Sequence, residues 1–279
     1  TKGYFDDYNS ADIILVSVPT PPNPDGGCNT SIVESVVASI KGEKIVVIKS
    51  TVPPGTTEGF QRKFPQHKFL FNPEFLTESQ AWEDFLKPVR QIIGYTDKSK
   101  GVALTVLNLL PMSFYQSPWI ASTYEVRGHT ATEAEVIKYA SNVFGAMKVS
   151  FGNILYDVCR GLNGLGKEVN YENVRDALGA DPRIGPAWLD VNLGSYRGFG
   201  GYCFPKDLAA FIEFCRLLTN SKPDTITKAE NKVMLSHVLL FLVAIRDYNV
   251  RLLKTQNLTV EDVSKHDKEI ILKKKKNVR

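Results

Sequence analysis

The chain has 279 residues, of which 43% are hydrophobic and 23% are charged, so it can bury the core of more than one average domain. Its net charge of +4 is modest, and much of it comes from the lysine run at 273–276, which is typical of a solvated tail and not of a nucleic-acid site. No apolar run reaches the ~20 residues that span a bilayer, and no signal peptide opens the chain. These features favour a soluble, cytoplasmic enzyme without nucleic-acid or membrane partners.

The first half of the chain alternates strand patterns with helix patterns. Strands are predicted at 13–18, 44–48, 68–71 and 89–95, and helices at 31–40, 56–63 and 98–110. Such alternation is typical of an α/β fold with a parallel sheet.

From about Thr130 the pattern becomes helical. Residues 132–160 predict a helix roughly 40 Å long, and Thr132 and Glu135 have the spacing of a capping box at its start. The spaced glycines of 161–166 follow this helix and not a strand, so they indicate a helix stop and not a phosphate-binding turn. Further helices are predicted at 171–178, 207–218, 228–248 and 260–266.

Apolar residues surround much of the long helix, which therefore needs partners on more than one side. They are Val136, Ile137, Tyr139, Ala140, Val143, Phe144 and Met147. This distribution predicts a homodimer or a higher homo-oligomer.

Neither the cysteines nor the histidines show the spacing of a metal site, and four cysteines in a chain of this size do not indicate a disulfide framework. These residues are Cys28, Cys159, Cys203, Cys215, His67, His129, His237 and His266. The sequence therefore predicts no metal and a reducing compartment.

Residues 198–207, GFGGYCFPKD, carry the clearest chemical signal. Cys203 lies between a glycine-rich loop and a predicted helix, with Lys206 and Asp207 immediately beyond. The helix dipole and the lysine both favour the nucleophilic thiolate, and the glycines let a substrate approach the backbone. An ordinary buried thiol is the alternative, but this setting favours a nucleophilic cysteine.

The same decapeptide resembles the catalytic-cysteine motif of the UDP-glucose and GDP-mannose dehydrogenases. Four further blocks resemble that family in the same order: ADIILVSVPTP at 11–21, KSTVPPGT at 49–56, FNPEFLTES at 71–79 and AEVIKYASNVFGAMKVSF at 134–151. The forms CFPKD and NPEF are most similar to the UDP-glucose branch. One block departs from the family, which usually has FLREG where this chain has FLTES.

The resemblance implies an incomplete Rossmann-type parallel-sheet domain at 1–128, corresponding to the later part of an NAD-binding domain. A mainly helical central domain that dimerises follows at 129–250, and 251–279 is a charged tail. The glycine-rich fingerprint and the C-terminal nucleotide-sugar domain of the family are not found in this sequence. Residues 1–279 alone are therefore not expected to sustain oxidation of UDP-glucose.

The resemblance also implies a reaction, the oxidation of a nucleotide-sugar C6 alcohol to the uronic acid by two hydride transfers to NAD. Cys203 would form a thiohemiacetal and then a thioester. Lys138 and Asn142, one helical turn apart, would stabilise the anionic oxygen. Without the resemblance, this pair would be interpreted as a solvated helix face.

Three further residues receive catalytic roles from the resemblance. Glu74 would activate the hydrolytic water, Asp207 would hold water or orient Lys138, and Thr51 would position water or contact NAD. Glu74 and Asp207 could otherwise be plain helix-start carboxylates.

The resemblance assigns binding residues as well. Those for NAD are Thr20, Thr51, Glu78 and Lys206. Those for the nucleotide sugar are Glu74, Phe75, Leu76, Thr77, Lys138, Asn142, Arg183, Asn192, Leu193, Gly194, Ser195, Tyr196 and Gly200. Arg183 would reach the substrate across a dimer interface.

Two alternatives stay open. One is a related dehydrogenase that acts on GDP-mannose or a UDP-N-acetylhexosamine. The other is a non-catalytic fragment or degenerate copy, against which the joint presence of the catalytic residues argues.

Overall fold

The computed structural model describes residues 7–192, 196–221 and 227–264, and the chain forms two compact units, Thr1–Ala140 and Ser141–Arg279. The strands of the first unit are β1 (Ile13–Val16), β2 (Ile45–Ile48), β3 (Lys68–Phe71), β4 (Arg90–Ile92), β5 (Gly94–Tyr95), β6 (Tyr115–Ser117), β7 (Trp119–Ile120) and β8 (Val126–Arg127). Its helices are α1 (Ser31–Ser39), α2 (Thr56–Lys63), α3 (Ala81–Leu86) and α4 (Lys100–Leu107), with 3₁₀ turns at Tyr8–Ser10 and Glu78–Gln80.

The main sheet of the first unit has the order β1-β2-β3-β5. β1, β2 and β3 are parallel, with Ile13 opposite Ile45 and Ile45 opposite Lys68. Alternate residues face opposite sides of a strand, so Val46 and Ile48 pack towards α1 and α2, whereas Val47 packs towards α4. Helices cover both faces of β2 and β3, which explains why these strands are mostly apolar, whereas Leu15 of β1 is exposed.

The prediction of a single strand at 89–95 is wrong, because the structure has two strands there. β4 pairs with β6 in parallel, whereas β5 pairs with β3 in the antiparallel sense, so the main sheet is mixed. The segment divides because its residues find different partners: Ile93 N donates to Ser117 O, and Tyr95 N donates to His129 O.

The long helix α5 (Ala131–Gly164) begins in the first unit and continues in the second. The predicted capping box of Thr132 and Glu135 is wrong by two residues. Glu133 N donates to Thr130 Oγ1 at 3.2 Å, and the Glu133 carboxylate accepts from Thr130 N at 2.7 Å. Thr132 already lies inside the helix, and the Glu135 carboxylate binds elsewhere.

The predicted glycine stop of α5 is confirmed. Lys167 N donates to Leu162 O, and Gly166 N donates to Asn163 O, which is the hydrogen-bond pattern of a Schellman motif.

The second unit is mainly helical. Its remaining helices are α6 (Tyr171–Gly179), α7 (Phe204–Asn220), α8 (Thr227–Lys254) and α9 (Val260–Val263). Its main core is formed by apolar side chains of α5, α7 and α8, together with the loop residue Phe199. The predicted architecture, an α/β unit with a parallel sheet followed by a mainly helical region, is confirmed.

Both α7 and α8 extend further than predicted. α7 begins at Phe204 and not at 207, because Pro205 is tolerated in a first turn, where its missing N–H would have no helical partner. α8 extends to Lys254, and Leu253 and Val263 are buried, so the described residues at 251–264 belong to the packed unit.

The expectation about apolar runs is wrong for α8. Residues Lys232–Lys254 are long and apolar enough to cross a membrane by length and composition, with a mean hydropathy of 1.5. One such helix is weak evidence for a membrane span, because only length and composition indicate it. Leu242 and Ile245 of the same helix pack in the core of the second unit.

Candidate active site

Polar residues follow the carboxyl ends of the three parallel strands of the first unit. Thr20 comes after β1, Lys49 and Thr51 come after β2, and Glu74 comes after β3. Parallel strands end at the same edge of a sheet, and ligands of open α/β sheets bind outside that edge. Thr20 is buried, whereas Thr51 and Glu74 are half-buried and accessible from solvent.

Glu74 is held by two lysines at this edge. Lys49 Nζ lies 3.1 Å from Glu74 Oε2 and 2.6 Å from Asn72 Oδ1, while Lys138 Nζ donates to the Glu74 main-chain oxygen. Lys138 is only 8% exposed, so the alternative of a solvated helix face is wrong for this residue. Glu74 does not start a helix either, since the next helical turn begins at Glu78.

Beside Glu74, the ring of Phe75 contacts two cations. Arg90 Cζ lies 3.7 Å and Lys138 Nζ 5.7 Å from the ring centroid. Burial lowers the pKa of Arg90 below its ordinary value. A cavity of about 390 Å³ opens here, lined by residues that include Glu74, Phe75, Leu76, Thr77 and Arg90. Four predicted substrate contacts therefore share one cavity.

The loop that carries Thr51 is fixed at both ends. At its beginning, Ser50 Oγ accepts from Val18 N at 2.9 Å and donates to Val18 O at 2.7 Å. At its end, Glu135 of α5 accepts from Gly55 N at 2.6 Å and from Thr57 N at 2.8 Å.

Glu135 is completely buried at the N-terminus of α2, where it also accepts from Thr57 Oγ1 at 2.6 Å. Burial raises the pKa of Glu135 to about 7, and the negative charge of Glu58 adds to this effect, whereas the hydrogen bonds from Thr57 and Gly55 oppose it. A helix N-terminus and three donors favour the carboxylate that burial disfavours.

In the second unit, Cys203 is the N-cap residue of α7 and is exposed. Asp207, one turn later, is 1% exposed, and its backbone N–H donates to Cys203 O at 2.8 Å. The Asp207 carboxylate accepts from Asn142 Nδ2 and from Lys206 Nζ, both at 2.5 Å. Asp207, one helical turn from Cys203, therefore orients the Asn142 amide. Its carboxylate is buried and hydrogen-bonded, so it is not a plain helix-start carboxylate.

These features agree with the comparisons to known proteins. Residues 1–109 match the model of the UDP-glucose/GDP-mannose dehydrogenase family, NAD binding domain, and residues 132–232 match the model of the family's central domain. The chain belongs to this family. The resemblance expected from five sequence blocks is thereby confirmed.

Several members of the dehydrogenase family are similar in sequence. The UDP-glucose 6-dehydrogenase of Rhizobium meliloti is 34% identical over 227 residues, which are 75% of this chain and 48% of that protein. The UDP-glucose 6-dehydrogenase of Rickettsia prowazekii is 31% identical over 272 residues, 93% of this chain and 57% of that protein. This chain spans about half the length of the curated relatives it matches.

A solved structure of the family is similar in fold. The UDP-glucose dehydrogenase from the hyperthermophilic archaeon Pyrobaculum islandicum superposes with a TM-score of 0.66 and 33% sequence identity. The match covers 89% of this chain and 54% of that one.

The structure places the predicted site residues in two groups. In the first unit they are Thr20, Thr51, Glu74, Phe75, Leu76, Thr77 and Lys138, and in the second unit they are Asn142, Cys203, Lys206 and Asp207. Glu78 and Asn192 are exposed, and Arg183 is 87% exposed and pairs with Asp181. Tyr196 lies beside Gly200, while Leu193, Gly194 and Ser195 fall outside the described residues.

Three residues at the first-unit site were missed from the sequence. Lys49 belongs to the KSTVPPGT block, so its neighbour Thr51 was a signal for it. Arg90 could have been suspected as a lone cation at the start of an apolar strand. Glu135 was interpreted as a cap of α5, and nothing in the sequence indicates its pairing with α2.

Proposed function

We propose that the chain takes part in the NAD-dependent oxidation of UDP-glucose to UDP-glucuronate, with Cys203 as the nucleophile. The observation that carries this proposal is the exposed thiol at the N-cap of α7, one turn from the buried Asp207, which accepts a hydrogen bond from Asn142. A helix N-terminus stabilises a thiolate, which is the nucleophilic form of the side chain. The identity to UDP-glucose 6-dehydrogenases supports UDP-glucose as the substrate.

The residues of the parallel-sheet edge fit part of a dinucleotide site. Thr20 and Thr51 follow neighbouring parallel strands, next to the crevice in which such cofactors bind. We assign them to NAD, with Glu78 and Lys206 as further contacts. When bound, each NAD⁺ accepts one hydride, so two NAD⁺ are reduced in turn as C6 passes from the alcohol to the aldehyde and then to the thioester.

The chemistry of Cys203 follows from its position. Its sulfur forms a bond to C6 of the aldehyde, and the carbonyl oxygen becomes the oxyanion of a thiohemiacetal. Loss of the second hydride from C6 leaves a thioester. Water then adds to C6, the C–S bond breaks, and the thiolate and the carboxylate separate.

Three side chains act on the reacting atoms, and two others orient them. Asn142, oriented by Asp207, donates to the oxyanion, and the Lys138 ammonium stabilises the same charge. Glu74 accepts the proton of the attacking water, and Lys49 keeps its carboxylate in one orientation.

An assay of NADH formation tests this proposal. We expect the complete gene product to form two NADH for each UDP-glucuronate, and Cys203→Ser to lower uronate formation roughly a thousandfold or more, since the covalent step is lost. Cys215→Ser is the matched control, because that thiol is buried and burial raises its pKa.

The outcomes separate the parts of the proposal. Full uronate formation by Cys203→Ser would refute the nucleophile. Turnover of GDP-mannose without turnover of UDP-glucose would refute the substrate and leave the mechanism intact.

We also propose that the second unit self-associates through α5, in the cytoplasm. An exposed apolar stripe follows one helix face at spacings of three, four and seven residues. It consists of Phe144, Phe151, Ile154, Val158 and Leu162. Light scattering should show a dimer or a larger oligomer at micromolar concentration. Phe151→Glu should lower the molar mass of this oligomer. A monomeric wild-type protein would contradict this proposal.

A further inference from the structure

The loop before Cys203 is bound by two side-chain amides from the C-terminal part of the second unit. Asn249 of α8 accepts from Phe199 N at 2.8 Å and donates to Phe199 O at 2.9 Å. Gln256, just after α8, accepts from Arg197 N at 2.8 Å and donates to Arg197 O at 2.9 Å. Each amide thus pairs with both main-chain groups of one residue, as a neighbouring β-strand would.

The pattern continues at the next alternate residue. Gly201 N donates to Val263 O of α9 at 2.8 Å, so the main chain is held at positions 197, 199 and 201. Cys203, the N-cap residue of α7, follows two residues later. The loop has no regular secondary structure, and these bonds replace the ladder that a sheet would supply.

The side chains around this loop restrict its backbone conformation. Asn249 is 2% exposed, and a buried amide must have its hydrogen bonds satisfied. Gly198 has a φ of +100°, and a Cβ there would meet Asn249 Oδ1 at 2.6 Å, so glycine is required at this close approach. The Arg197 side chain also donates to Asn153 Oδ1 of α5, at 3.1 Å.

We propose that Asn249 and Gln256 are positioning residues for Cys203, which hold the loop at 197–201 so that the thiol stays at the N-terminus of α7. This inference rests on the proposed function, in which Cys203 is the nucleophile. The helix field falls off within one turn, so a small displacement of the loop weakens its effect on the thiol. A misplacement of ~1 Å at a reacting atom can cost about a hundredfold in rate.

The first test is the pH dependence of Cys203 alkylation by iodoacetamide, read by mass spectrometry. In Asn249→Ala and Gln256→Ala, we expect the half-maximal rate to move to higher pH, and the rate at neutral pH to fall roughly three- to tenfold. Cys203 is already exposed, so easier access cannot offset the loss of thiolate. Asn257→Gly is the matched control, because the Asn257 side chain is an exposed amide and glycine tolerates its φ of +56°.

The second test measures turnover in the same variants of the complete gene product. We expect kcat to fall roughly tenfold or more, with the KM for UDP-glucose changed by less than about threefold. Gln256 is only half-buried, so Gln256→Ala keeps the test valid if Asn249→Ala fails to fold.

An unchanged pH profile in folded Gln256→Ala would overturn the inference. If Cys203→Ser remains active, the proposed function fails, whereas the alkylation profile still decides whether these amides position the thiol.

Discussion

In the first unit, the candidate site residues follow from sheet topology, whereas in the second unit the Cys203 loop has no regular structure and is held by distant side chains. Thr51 and Glu74 are placed by the ends of β2 and β3, which a short crossover brings side by side. The loop at 197–201 is instead held by Asn249 and Gln256, which lie 50 and 59 residues from their partners. A sequence pattern shows the residues of both sites, but it does not show the distant side chains that hold the loop of the second one.

The largest expected effect tests the second unit. Asp207→Ala removes the shared acceptor of Asn142 and Lys206 from a buried position, and it should lower the free energy of unfolding by about 3–5 kcal/mol. Urea unfolding measures the loss, and hydrogen exchange should place it in the second unit.

A surface ion pair provides the control for Asp207. Asp247 pairs with Arg246 on α8 with both side chains more than two-fifths exposed, so Asp247→Asn should cost less than about 1 kcal/mol. Equal losses in the two variants would contradict the role given to Asp207.

The second effect tests the first unit through pH. The native pKa of Glu135, about 7, lies above the ordinary value of 4.5, so the folded unit binds a proton that the unfolded chain releases. The contribution of this proton to the free energy of unfolding is complete below pH 4.5 and is lost as the pH rises towards 7, which lowers the free energy of unfolding by about 3 kcal/mol. The free energy of unfolding, measured across this pH range, should show this decrease, and Glu135→Gln should abolish the decrease.

The control for Glu135 lies on the same helix. Glu133 is exposed and bonds only to Thr130 in the contacts described, so Glu133→Gln should keep the pH dependence. If Glu135→Gln retains the slope, Glu58, the charged neighbour that raises the pKa of Glu135, would be the next group to test.

Particular residues show how much of the secondary structure and of the candidate site the sequence predicts. The helix at 56–63 and the strand at 68–71 are predicted with their observed bounds, since their apolar period and flanking turns are local. The division of 89–95 could not be predicted, because it depends on pairing with Ser117 and His129. Cys203 and Glu74 were found through motifs, whereas Asn249 and Glu135 were not, because their partners are distant and belong to no pattern.

The smallest effect concerns the start of α5, where a local pattern predicts the wrong residue. Thr132 and Glu135 have the spacing of a capping box, but the structure gives that role to Thr130 and Glu133. Thr130→Ala should therefore lower the free energy of unfolding by about 1 kcal/mol. Thr132→Ala should be neutral or stabilising by up to about 0.5 kcal/mol, because Thr132 lies inside the helix and alanine is the better helix former.

Thermal unfolding of the two alanine variants decides between the two boxes, since the substitution is identical and the sites are two residues apart. If Thr132→Ala is the more damaging variant, α5 begins where the sequence pattern predicts. Glu135 would then cap its own helix, and the Thr51 loop would lose the attachment at Gly55 and Thr57 that fixes it in the first unit. The site in the first unit would then depend on sheet topology alone.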